Sequence, residues 1–177
     1  MLCAVCALAV ALAKPLASRA DDGTTPAQPA PAPVDVNPVV PPLPVIRPKH
    51  VRRIQRHLFG NRVVGFAKHL LGTRYVWGGS TPGSGFDCSG FVRYVYGHFG
   101  ISLAHSSYAQ FDSGSRVARG SLKPGDLVFF DGLGHVGIYI GNGRFIHAPH
   151  TGTRVRIQSL GGWYSSRFDG ARRLRTT

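Results

Sequence analysis

The 177-residue chain contains no glutamate: all eight of its acids are aspartates, and 17 of its 21 Lys and Arg residues are arginines. Without Glu–Lys pairs at i,i+4 spacing, long solvent-exposed helices have little support, so the sequence predicts strands, short helices and many turns. Cysteine is nearly as scarce. Three thiols are too few for a disulfide scaffold or a four-cysteine zinc site. The apolar run over residues 2–13, LCAVCALAVALA, falls short of the roughly 20 residues that a membrane span needs. What is present is an ordinary apolar share of 43% and a net charge of +13, which together describe a basic globular domain. Charge alone suggests a nucleic-acid binder. The cations run from Arg47 to Arg175 without a nucleic-acid reading motif, so that class is set aside.

The chain divides by composition. Residues 1–20 combine the apolar run with Lys14, Pro15 and small residues at Ser18 and Ala20, and read as a secretory signal peptide cleaved after Ala20. Cys3 and Cys6 belong to it and lack a lipid-attachment context. Residues 21–48 hold nine of the thirteen prolines. Fixed φ and missing N–H donors make this an extended linker. Residues 49–60 place Val51, Ile54 and Leu58 on one helical face among Lys49, Arg52, Arg53 and Arg56. Such a basic amphipathic segment either packs by its stripe or touches an anionic surface. A second helix is predicted from Asn61 as N-cap to Gly72 as stop signal, opening a domain over residues 61–177.

Beyond a Gly/Ser/Pro loop, Phe91, Val92, Val95 and Phe99 recur at helical spacing, which sets Cys88 in the first turn of a buried helix. LVFFD, HVGIYIGNGRFIHA and RVRIQ then read as strands. With the signal peptide removed, one cysteine remains, either inert or a nucleophile. Its place favours the nucleophile: unpaired N–H groups at a helix start stabilise a thiolate and can lower a cysteine pKa from about 8.5 towards 3.5–7.5.

A thiol nucleophile wants a base, and the base an orienting partner. His135 and His147 lie on adjacent predicted strands. In an antiparallel hairpin they share a face only if paired residue numbers have an even sum. A two-residue Asn142-Gly143 turn makes that sum odd. A three-residue Gly141-Asn142-Gly143 loop pairs Ile140 with Arg144 and sets His147 opposite Gly137, so that loop is predicted. Of the other histidines, His50, His57, His69 and His98 fall on basic or helical surface positions, and His105 and His150 are loop residues without an assigned partner. A zinc site is disfavoured because Cys88 and the two histidines include no close-spaced ligand pair, so no metal or other cofactor is expected.

The ordered blocks YVWGG, GFDCSGFV, KPGDLVFF, GHVGIYIGNG and FIHA resemble the NlpC-type family of bacterial cell-wall cysteine peptidases, from about Val63 to Arg175. The resemblance implies an α+β, papain-like compact domain in which a Cys-bearing helix packs on a central antiparallel sheet. It implies Cys88 as nucleophile, His135 as base and His147 as the residue orienting it. Tyr75 then serves the oxyanion site, and Asp87 and Ser89 contact substrate beside the nucleophile. The implied substrates are peptidoglycan stem peptides, cut between D-glutamate's γ-carboxyl and diaminopimelate or at the cross-link. The expected enzyme is an exported monomer held near the wall by anionic envelope polymers. A wall-binding module without catalysis and a superfamily amidase or acyltransferase are the rival readings.

Overall fold

The structure, a computed structural model, describes residues 48–174. The predicted signal peptide and nearly all of the proline-rich linker lie outside the described residues. In chain order the elements are helix α1 (Pro48–His69), strands β1 (Ser80–Thr81) and β2 (Gly85–Phe86), helices α2 (Cys88–Gly97) and α3 (Ser107–Phe111), and strands β3 (Ser115–Val117), β4 (Leu127–Phe130), β5 (His135–Gly141), β6 (Arg144–His147) and β7 (Arg156–Ser159). Helix α4 (Trp163–Ser166) and strand β8 (Phe168–Arg173) complete it. Six strands form one antiparallel sheet in the order β3-β8-β4-β5-β6-β7.

The two helices predicted over 49–60 and 61–71 are one. Gly60 reads locally as a stop, but its missing side chain serves packing: a Cβ there would lie 2.0 Å from the Pro124 carbonyl oxygen. The glycine lets α1 cross the turn before β4 in backbone contact, and the helix continues through Asn61. Its second half buries Val63, Val64 and Ala67, and Leu70 just beyond it is buried too. The predicted stop is kept just past the last turn, where Gly72 has φ +82° and donates its N–H to Val155 O at 3.0 Å.

Helix α2 buries Phe91, Val92 and Val95 completely against Leu127, Phe129, Val136, Ile138 and Ile146 of the sheet. Each such side chain contributes roughly 1.5–3 kcal/mol relative to exposure. Val128, Phe130, Phe145 and Ala171 point to the other face, where Leu160 and Tyr164 cover them. Strand β4 is therefore buried on both faces, which is why LVFF reads as a continuous apolar run.

The β5–β6 hairpin gives the predicted parity by another device. Gly141 pairs with Arg144, so the turn is the two-residue Asn142-Gly143, both at positive φ (52° and 63°). A register shift between Tyr139 and Gly141 absorbs one residue, and further along Tyr139 faces Phe145 and Ile138 faces Ile146. The even sum follows from a bulge, not from the predicted three-residue loop.

Candidate active site

Asp87 starts the site. Its extended backbone (φ −90°, ψ 179°) and its carboxylate cap α2, with Gly90 N–H donating to Oδ1 at 2.7 Å. The same carboxylate accepts Gly78 N–H at 3.0 Å and the Ser89 hydroxyl at 3.2 Å, and His105 Nε2 lies 2.9 Å from both oxygens. Gly90 must be glycine: a Cβ would stand 2.1 Å from Gly79 O. One acid thus ties the 78–79 loop, the helix start and the 105 segment together around Cys88. Asp87 and Ser89, which the resemblance sets against substrate, are almost fully buried with their polar atoms turned to each other. His105 was not anticipated from sequence, since nothing local marks a partner so distant in the chain.

The Cys88 sulfur sits against the backbone N–H groups of Val136, Ser89 and Cys88 itself. Burial nonetheless pushes its pKa above the ordinary thiol value; those N–H groups pull it down, and the Asp87 charge adds to the rise. The sequence-based expectation of a lowered pKa is corrected here. A thiolate is favoured by the helix start, but the sulfur is packed against the core and desolvation outweighs the dipoles.

Tyr75 reaches this point through backbone bonds that lace YVWGG to GFDC: Val76 N–H to Phe86 O at 2.9 Å, Phe86 N–H to Arg74 O at 3.1 Å and Asp87 N–H to Gly79 O at 3.0 Å. Burial, then the nearby Cys88 and Asp87 charges, raise its phenol pKa. The hydroxyl therefore stays protonated and able to donate.

His135 precedes Val136, whose N–H touches the sulfur. Its Nε2 lies 2.7 Å from His147 Nδ1. The two rings sit 5.0 Å apart at 78° on the sheet face that carries Phe130, Phe145 and Tyr164, and Tyr164 packs edge-on to His147 at 5.5 Å. Gly137 leaves room for them: a Cβ there would meet Phe145 Cδ2 at 2.6 Å and His147 Cβ at 3.2 Å. His147 is fully buried and its Nε2 has no hydrogen-bond partner. Tyr164 is the second contributor that sequence reasoning missed.

Burial lowers both imidazole pKa values from 6.5, to about 4 for His135, with His150 adding, and to about 2 for His147, where the His135 ring, then Arg156 and His150, add to the burial. The rings are neutral at pH 7, and one N–H is shared between them. Below pH 6.5 the unfolded chain binds protons that the folded site refuses. The stabilising contribution is complete above about 6.5 and is lost as pH falls towards 4, then 2, on the order of 1 kcal/mol per ring per pH unit. The midpoint of urea unfolding is expected to be lower at pH 5 than at pH 7; equal midpoints would contradict neutral burial.

Residues 72–173 match the NlpC/P60 family. The chain belongs to the NlpC/P60 family. Its papain-like arrangement of a Cys-bearing helix on an antiparallel sheet agrees with the solved NlpC/P60 domains. It is similar to the probable endopeptidase p60 of Listeria innocua, with 46% identity over 104 residues, covering 57% of this chain and 22% of that protein. It is also similar to the gamma-DL-glutamyl hydrolase of Bacillus subtilis, at 44% over 119 residues, covering 63% and 29%. Among solved structures, the NlpC/p60 domain of the peptidoglycan hydrolase SagA aligns with TM-score 0.59 and 39% identity, over 65% of this chain and 98% of that one. The matched region is thus between a fifth and a third of the length of these two curated relatives.

Proposed function

We propose that this NlpC/P60 domain is a cysteine endopeptidase that hydrolyses peptide bonds in peptidoglycan stem peptides. The observation that carries the reading is a free thiol, the only one among the described residues, set against the N–H of Val136, the residue that follows His135 on β5, while His135 Nε2 is engaged by His147. That engagement leaves Nδ1 of His135 as the nitrogen free to act as base. Because the resting thiol is protonated and the imidazole neutral, His135 removes the thiol proton as Cys88 attacks the peptide carbonyl. His147 Nδ1 accepts the hydrogen bond from the His135 Nε2–H and, staying neutral, stabilises the imidazolium that forms. Tyr75 Oη–H and the Cys88 N–H receive the oxyanion, each worth roughly 10²–10³ in rate. The imidazolium then returns its proton to the leaving amine, and water releases the acyl group from the Cys88 thioester. Asp87, Ser89 and His105 act one step back, by fixing the helix start and the Tyr75 loop. No cofactor enters any of these steps.

The named activities of the relatives support the substrate class, and the gamma-DL-glutamyl hydrolase favours a γ-D-glutamyl bond as the target. The enzyme works in the envelope as a monomer, exported by residues 1–20. Anionic envelope polymers attract its cationic surface. Digestion of purified muropeptides followed by mass spectrometry tests the assignment. Products ending in a free γ-D-glutamyl carboxyl are expected; release of intact stem peptides from the lactyl amide would instead show an amidase.

A further inference from the structure

The first half of α1 takes no part in the catalytic reading. Residues 49–58 are exposed on every side, although three of them are large and apolar: Val51 is 37% exposed, Ile54 54% and Leu58 56%. Their spacing at i, i+3 and i+7 forms one stripe. Lys49, His50, Arg52, Arg53, Arg56 and His57 surround it, residues 36–86 contain no acid, and none of the ion pairs among the described residues involves α1. Beside the stripe opens a cavity of about 600 Å³ bordered by Arg53, Ile54, Leu58, Lys123 and Leu174. The acid in its wall, Asp126, is buried and already held by Arg173 at 2.6 Å through both oxygens.

An uncovered helical extension this short has little stability of its own. Its unbalanced cations repel one another, and its apolar stripe stands in water. A hydrophilic polyanion would relieve only the charge. An apolar peptide would cover only the stripe. A surface that is both anionic and apolar satisfies both, and that is the chemistry of an acidic bilayer. We propose that this end of the domain docks on an anionic phospholipid membrane, with the stripe of α1 in the headgroup–acyl boundary and a lipid phosphate seated in the adjoining cavity.

The position fits an enzyme acting on material above a membrane. Gly60 of α1 rests on the Pro124–Gly125 turn, and Gly125 N–H bonds Tyr139 O, four residues along β5 from His135. Four steps at about 3.3 Å each set Tyr139 about 13 Å from His135 along the strand. A docked domain therefore keeps the Cys88 end turned away from the lipid.

Sedimentation of the exported form, residues 21–177, with vesicles of phosphatidylcholine alone or mixed with phosphatidylglycerol tests this without using activity. Binding to the mixed vesicles only is expected. Ile54→Ser/Leu58→Ser keeps every charge and should weaken that binding roughly tenfold or more. Arg53→Gln/Arg56→Gln should weaken it about fivefold per cation removed. Both sites are solvent-exposed, so unchanged thermal midpoints will certify the variants as folded. Three results would overturn the proposal. These are no sedimentation, vesicle binding unaffected by either pair, or binding that soluble poly(glycerol phosphate) abolishes while Ile54→Ser/Leu58→Ser leaves it intact, which would mark a site for a hydrophilic polymer.

Discussion

Cys88→Ala is expected to abolish hydrolysis of muropeptides, lowering kcat by about 10⁶-fold, the scale on which a nucleophile is lost from a unit that works together. No other described residue can substitute, because Cys88 is the one free thiol among the described residues, and its sulfur meets the N–H of Val136, next to His135 in the chain. Folding should survive. The change removes one sulfur from a half-buried site, and the cap on α2 comes from Asp87, not from the cysteine. Cys88→Ser is expected to fall nearly as far, since a hydroxyl has a far higher pKa than a thiol and the neutral His135 is a weak base. Progress curves on purified muropeptides, with circular dichroism to certify the fold, read both outcomes.

His147→Ala should lower kcat by about 10²–10⁴-fold with little change in KM, by analogy with orienting residues whose loss leaves the base in the wrong tautomer. Without His147 Nδ1 as acceptor, the proton of neutral His135 is free to sit on Nδ1, where it blocks the thiol. His147→Asn supplies the control. Asparagine Oδ1 occupies the place of His147 Nδ1 relative to the chain and accepts the same hydrogen bond, while the unpartnered buried Nε2 is removed. Activity within about tenfold of wild type is expected for Asn, on the scale of a preserved second partner. A merely structural role would make the two variants fall together with their stability.

The readable parts of this protein were those set by local rules. Periodicity locates α2 and an apolar run locates β4; His135 and His147 share a face as expected, but through a bulge in place of the expected three-residue loop. The misses came from contacts distant in sequence. Gly60 looks like a helix stop until the Pro124 carbonyl is seen against it, and a glycine that closes one helix locally instead lets another backbone approach. The hairpin bulge near Ile140 leaves no signature that distinguishes it from a longer loop. His105 and Tyr164 carry no motif; the first is defined by Asp87 and the second by the histidine rings it covers. The thiol's raised pKa is not legible from sequence, because position shows the helix dipole, whereas desolvation depends on how the sheet packs over the sulfur.

The division at residue 60 also takes on a new meaning. Residues 49–60 and the helix that follows are continuous, so a surface at the start of α1 is rigidly tied to the domain that carries Cys88. Such a tie lets one end bind while the other reacts.

The most direct measurement of the central claim is the intact mass of the protein quenched in acid during turnover of a muropeptide. A thioester on Cys88 requires the chain to gain the mass of the acyl half of the cleaved stem, and that gain should vanish in Cys88→Ala together with the products. Products appearing from Cys88→Ala at the wild-type rate, with no adduct on either protein, would contradict a cysteine peptidase.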